Sequence, residues 1–214
     1  MALSTFHIVA CPNCHQIHQK HVVIGGFPSY EWSDLWITSR GSPYGNLKIN
    51  TCPHCKHIFW VQPEHTLGVL GNDSPLEWQE APEADEFFDF SVWKHLVEIQ
   101  LFENEEQECY IRLQAWQNYN HFFRDNIDYK PDDAFITFNQ QNISCLYKIL
   151  PSQPEENLFL KAEIQRHLEN WEECLKICKK LEKQLKNGHY LRVAIRKIRK
   201  LAREQHSQVV PIFS

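Results

Sequence analysis

Two short cysteine pairs, Cys11-Pro-Asn-Cys14 and Cys52-Pro-His-Cys55, stand 37 residues apart in this chain. Two residues between cysteines let both sulfurs reach one ion from a single tight turn. Proline after the first cysteine of each pair fixes φ and favours that turn. Two such turns on adjacent hairpins close a tetrahedron of sulfur ligands, so the spacing predicts one Zn²⁺ held by Cys11, Cys14, Cys52 and Cys55. Four thiolates leave no coordination position open, which makes the expected ion structural rather than catalytic. An iron–sulfur cluster would use the same ligands. A thioredoxin-like redox pair would need a βαβ setting that the flanking sequence lacks, and it would not explain two pairs.

The rest of the chain sets the compartment and the scale. Eight cysteines in 214 residues are too sparse for a disulfide-stapled scaffold. No cationic leader is visible ahead of the first pair, and no apolar run approaches the ~18 residues needed to span a bilayer. The chain therefore reads as cytoplasmic, without a membrane association, where reduced cysteines serve metals more often than disulfides. With 43% hydrophobic and 23% charged residues a buried core is affordable and disorder does not dominate.

Hydrophobic patterning divides the chain into three zones and predicts an α+β fold. Residues 1–65 read as a small β-rich zinc ribbon, with short strands flanking each cysteine pair. An aromatic, glycine-rich loop is inserted between its halves and carries Tyr30, Trp32, Trp36 and Tyr44. Residues 66–86 read as an acidic connector broken by Gly and Pro. Residues 87–214 read as a mainly α-helical domain. Within it, a short helix is expected from about Asn139 to Leu150, and an antiparallel helix pair at 155–186. A basic helix follows from His189 to about Gln205, with its apolar stripe at Leu191, Ala194/Ile195, Ile198 and Leu201/Ala202.

Charge is unevenly distributed. The chain carries a formal −5. Yet residues 174–205 hold eleven Lys/Arg against two acids, Glu182 and Glu204, a net of +9. Residues 73–108 hold twelve acids against the single base Lys94. Arg192, Arg196, Arg199, Lys200 and Arg203 line the side of the last helix opposite its apolar stripe. Such a stripe faces phosphates, packs on an acidic surface, or is simply solvated. Seven of the twelve histidines (His7, His15, His18, His21, His54, His57 and His65) crowd the cysteine zone. No carboxylate completes an HExxH-type arrangement there, so they read as neighbours of the thiolate cluster rather than as a second metal site. Cys109, Cys145, Cys174 and Cys178 fall in expected helices and read as small core residues.

The run from Leu160 to Leu181 looks like one tetratricopeptide-type unit, with Ala162 and Cys174 at the small positions that pack together and Trp171 after the turn. One such unit cannot bury its own face, so neighbouring helices must complete the stack. Together with the two Cys-Pro-x-Cys turns, the Tyr30-Glu-Trp-Ser-Asp34 segment and the Phe59-Trp60 pair, this resembles a group of bacterial proteins. Those proteins join an N-terminal zinc ribbon to a C-terminal tetratricopeptide-like segment. The resemblance implies fold and zinc, and it supplies no activity. Without a phosphate loop, nucleophile elbow or zincin motif, the chain reads as a binding or adaptor protein with a protein partner rather than as an enzyme acting on a small-molecule substrate. The alternative is a nucleic-acid binder that uses the ribbon and the basic C-terminal helices.

Overall fold

The computed structural model describes residues 3–24, 32–36, 48–85, 88–125 and 129–212. Its described residues form two compact units: 3–24 with 48–85 and Phe88, and 32–36 with 89–125 and 129–212. A β-rich unit and a helical unit together make the α+β fold that the patterning predicts.

In the first unit, β1 (Leu3–Ala10) and β2 (Ile17–Ile24) form an antiparallel hairpin in register from Leu3↔Ile24 to Ala10↔Ile17. The tip of this hairpin is the Cys11–Cys14 turn. A second, two-stranded sheet pairs β3 (Ile49–Thr51) with β4 (Ile58–Trp60), and its tip is the Cys52–Cys55 turn. The short core beneath the turns joins Val9 and Phe59 to Cys11 and Cys52.

The stretch expected to be an irregular connector is instead built into this unit. β5 (Thr66–Val69) adds to the free side of β1, giving the order β2-β1-β5, with a register shift between Ile8 and Val9. Ile8 and Val9 are both fully buried, although consecutive strand residues point to opposite faces, so the sheet is covered on both sides here. Part of that cover is α1 (Leu76–Gln79). The Trp78 ring lies against Gly68, where an added Cβ would stand 2.7 Å from it, so only glycine fits. The Gln19 side chain donates to the Trp78 and Gln79 carbonyls at 2.9 and 3.1 Å. Residues 82–84 then bond the outer side of β2 through Gln19 N–H to Pro82 O and Ala84 N–H to Gln19 O. A four-residue strand containing glycine has too few positions for an alternating pattern to register, hence the difference from expectation.

The second unit contains α2 (Phe90–Glu98), α3 (Glu105–Asp125), α4 (Asp133–Ile149), α5 (Glu155–His167), α6 (Trp171–Gln184) and α7 (Leu191–Arg203). Carboxylate caps start two of them: Asp89 accepts from Val92 N–H at 2.9 Å and Asp132 from Phe135 N–H at 2.7 Å. The second cap starts α4 six residues before the expected helix. Rings from α2, α3 and α4 meet around Phe90, which has Tyr119, Phe122, Phe135 and Phe138 within 5.0–5.8 Å of its centroid. The helix pair expected at 155–186 is present as α5 and α6. Ala162 and Cys174 are both completely buried in the main core, with Trp171 packed on its margin. Leu191, Ala194, Ile195, Ile198 and Ala202 of α7 enter the same core, as the stripe predicts. Each buried Leu or Ile there contributes about 1.5–3 kcal/mol relative to exposure.

Trp32–Trp36 belongs to this helical unit, not to the β-rich one. Trp32 bridges Pro211, and Ser33 N–H donates to Val210 O at 2.8 Å. The C-terminal tail is also held by Arg166, whose fully buried guanidinium donates to the carbonyls of His206 and Gln208 while forking onto Glu163. No helix among the described residues is long and apolar enough to cross a membrane.

Candidate metal centre

Both cysteine turns have the same backbone construction. In the first, Cys11 N–H donates to Gln16 O at 3.0 Å and His15 N–H to Cys11 O at 2.9 Å. In the second, Cys52 N–H donates to His57 O and Lys56 N–H to Cys52 O, both at 2.9 Å. The residue after each second cysteine is left-handed, His15 at φ 60° and Lys56 at φ 61°. Glycine is the usual occupant of such a place, and its absence does not change the turn.

The turns bring the four sulfurs into one cluster, all within 4.8 Å of one another. Cys11 Sγ lies 3.7 Å from Cys55 Sγ, and Cys14 Sγ lies 3.6 Å from Cys52 Sγ. A tetrahedral site with metal–sulfur bonds of about 2.3 Å has sulfur–sulfur edges of about 3.8 Å. The same separations far exceed the roughly 2.05 Å of a disulfide bond. The donor set therefore fits a tetrahedral thiophilic cation such as Zn²⁺.

The electrostatics point the same way. Burial raises the Cys11 thiol, and the Cys14 and Asn13 backbone N–H groups pull against it less strongly. For Cys14 the Gln16 backbone N–H favours the thiolate, but burial and the neighbouring sulfurs outweigh it and push the thiol up to about 12. Cys55 goes the other way, down to about 6, because the Asn13 side chain donates to its sulfur at 3.6 Å and His57 N–H adds to it. One thiolate forms readily, and its charge opposes ionisation of Cys11 and Cys14. A divalent cation among them removes that opposition. Asn13 escaped the sequence reading because an asparagine inside a CPxC turn has no spacing signature of its own.

Among the described residues the four cysteines are the one group of three or more metal-donor side chains brought together. His18, His57 and His65 instead surround the Phe59 ring at centroid distances of 6.2, 6.0 and 5.5 Å. His18 is completely buried, with its Nε2 2.8 Å from the Asn50 amide nitrogen. Burial, with His54 nearby, holds its pKa down at about 4, so His18 is neutral and accepts from Asn50.

The other candidate surface residues fare unevenly. Tyr30 and Tyr44 lie outside the described residues. Trp36 is buried, 4% exposed, with its ring 4.4 Å from His121 and facing the Arg124 guanidinium at 5.0 Å. Trp32 is half-buried on the same guanidinium at 5.5 Å. These two tryptophans hold an internal cation and are not free anchors. On α7, Arg192 donates to the Leu185 and Lys186 carbonyls at the end of α6. Arg199 pairs with Glu182 at 2.6 Å. Arg196, Lys200 and Arg203 are exposed, and Lys200 stands 3.8 Å from Glu204. The basic stripe thus divides between stapling α6 and facing solvent.

Compared with known proteins, the chain matches no family model, no curated protein and no solved structure.

Proposed function

We propose that the β-rich unit is a zinc ribbon in which Cys11, Cys14, Cys52 and Cys55 hold one structural Zn²⁺, and that the chain works as a binding or adaptor protein with a protein partner. The observation that carries this reading is the four-sulfur cluster at the tips of two hairpins. A zinc ion saturated by four thiolates supplies rigidity and offers no position to a substrate. The residues that hold it are themselves ligands, so no catalytic role is assigned to them. In this reading α5 and α6 form one tetratricopeptide-like unit, for which the buried Ala162 and Cys174 are the support. A cytoplasmic setting belongs to the same proposal, since it keeps thiolate ligands reduced. Leu67, Val69 and Leu76 are 49%, 54% and 67% exposed on the β-rich unit and offer a partner apolar surface.

The test is elemental analysis of the untreated protein, with affinity capture from its native cell. About one zinc per chain and a captured protein lost on Leu67→Glu/Val69→Lys substitution are expected. Absence of any bound metal would overturn the ribbon. Salt-sensitive retention on DNA, abolished by Arg196→Glu/Arg203→Glu, would favour the nucleic-acid reading instead.

A further inference from the structure

The turn between α6 and α7 carries Asn187-Gly188, and of the chain's thirteen asparagines Asn187 is the single one followed by glycine. Both residues are exposed. His189 N–H donates to Lys186 O at 3.2 Å across them, and Gly188 sits at φ 85°, as the third residue of a type II turn does. Among the described residues the Gly188 N–H has no acceptor, and the Asn187 side-chain amide is equally free of hydrogen bonds. A Cβ added to Gly188 would meet nothing within 4 Å, so the space around this residue is open.

These features assemble the reactants of an intramolecular substitution. The Gly188 backbone nitrogen is unbonded, and it stands one residue beyond an unbonded side-chain amide, the spacing that closes a five-membered ring. A side chain on the following residue normally hinders that approach, and glycine has none. Charge favours the reaction as well. Lys186, next to Asn187 in sequence, is exposed, and Arg192 lays its guanidinium on the Leu185 and Lys186 carbonyls. Nearby cations favour the deprotonated nitrogen and the anionic adduct through which the ring forms.

We propose that Asn187 is a spontaneous modification site, which converts to aspartate or isoaspartate through a succinimide formed with Gly188, and that the isoaspartate product loosens the α6–α7 turn. The Gly188 nitrogen gives up its proton and bonds to the carbonyl carbon of the Asn187 side chain. The bond from that carbon to Nδ2 breaks, and the nitrogen leaves as ammonia. Water then opens the succinimide at either of its carbonyls. The sum is amide plus water to carboxylic acid plus ammonia, with no oxidant or cofactor. Either product places a carboxylate in the basic 174–205 stretch, just ahead of α7, whose first turn holds no acid. Aspartate keeps the backbone of the turn. Isoaspartate adds a methylene to it, between the α6 carbonyls and the Arg192 side chain that grips them.

The experiment is ageing of the full chain in warm buffer, neutral and mildly alkaline, read by peptide mapping with mass spectrometry, ammonia release and labelling by an isoaspartate methyltransferase. The peptide spanning Asn187 gains acid and isoaspartate, faster at the higher pH. The peptides with Asn72 and Asn104, exposed but followed by Asp73 and Glu105, stay intact over the same period. Asn187→Gln, whose longer side chain does not close the five-membered ring, loses the reaction, as does Gly188→Ala. The glutamine variant serves as the control should alanine, strained at φ 85°, disturb the turn. The isoaspartate-bearing fraction exchanges the first amides of α7 faster than fresh protein, and Asn187→Asp does not. An Asn187 that stays intact in the folded chain while the chain in urea converts would overturn the proposal, since the fold would then shield it. Conversion of Asn72 at the same rate, or no conversion in either state, would overturn it too. Unchanged amide exchange in the isoaspartate fraction would overturn the loosening of the turn.

Discussion

Asp34 and Arg124, 90 residues apart in sequence, form an ion pair whose side chains are 0% and 4% exposed. Asp34 also accepts from Asn120 Nδ2, and Arg124 donates to Gln117 O at 3.0 Å while its guanidinium faces the Trp32 and Trp36 rings. The pair therefore fastens a short stretch from the N-terminal half of the chain onto α3. Removing one member of a buried pair leaves the other charged and unpaired, at a cost of about 3–5 kcal/mol. Asp34→Ala should lower the unfolding free energy of the helical unit, read from urea titration, by that amount. The double change Asp34→Leu/Arg124→Met should recover much of the loss, since no charge is then buried. A double variant as unstable as the single one would show that the pair is not the source.

Metal and folding are coupled in the β-rich unit. Structural zinc contributes an apparent ~10–16 kcal/mol in small modules, as much as or more than the ~5–15 kcal/mol that holds an ordinary domain together. Directly beneath the turns the core is only Val9, Phe59 and the ligands Cys11 and Cys52, so the turns themselves have little to replace the ion. Cys52→Ala should abolish metal binding and expose residues 3–24 and 48–69 to rapid amide exchange. Exchange in α5, α6 and α7 should stay as slow as before. Retained protection across both hairpins in the variant would remove the metal from the folding account.

His15 and Lys56 carry a conformational cost that glycine would not. A left-handed L-residue costs roughly 1–2 kcal/mol, while glycine loses about 0.5–1 kcal/mol of extra chain entropy on folding. His15→Gly and Lys56→Gly should each stabilise the metal-loaded unit by up to about 1 kcal/mol, read as slower metal release to a chelator. His15→Val should do the reverse, because a β-branched side chain tolerates positive φ poorly. Faster release from both glycine variants would mean these side chains assist the cluster.

What was legible in the sequence follows from how far each signal reaches. The four-cysteine site could be read because each turn completes its geometry within four residues. The α7 stripe could be read because one face of one helix meets one core. α4 begins at Asp133, six residues ahead of the expected start at Asn139, because its first turns are set by the Asp132 cap rather than by an apolar stripe. Trp32–Trp36 could not be placed from local pattern at all. Its partners Arg124 and Val210 are 90 and 177 residues distant, and nothing near Asp34 announces them.

Glu163 and Arg166 set the acid limit of the helical unit. Burial pushes the Glu163 carboxyl up, but the charge and hydrogen bonds of Arg166, with His167 adding to them, outweigh it and hold the carboxyl down at about 2. The unfolded carboxyl titrates near 4.5, so below that pH the unfolded chain takes up a proton that the folded one refuses. The stabilisation is complete above pH 4.5 and disappears as pH falls towards 2, a swing of about 3 kcal/mol at roughly 1.4 kcal/mol per unit. Glu163→Gln should therefore be strongly destabilised at pH 7, because Arg166 loses its counter-charge while still holding the tail carbonyls of His206 and Gln208. Its unfolding free energy should also fall less steeply between pH 4.5 and 2.5 than that of the parent chain. The check is urea unfolding followed by circular dichroism at half-unit pH steps, where parallel curves for the two chains would exclude Glu163 as the titrating group.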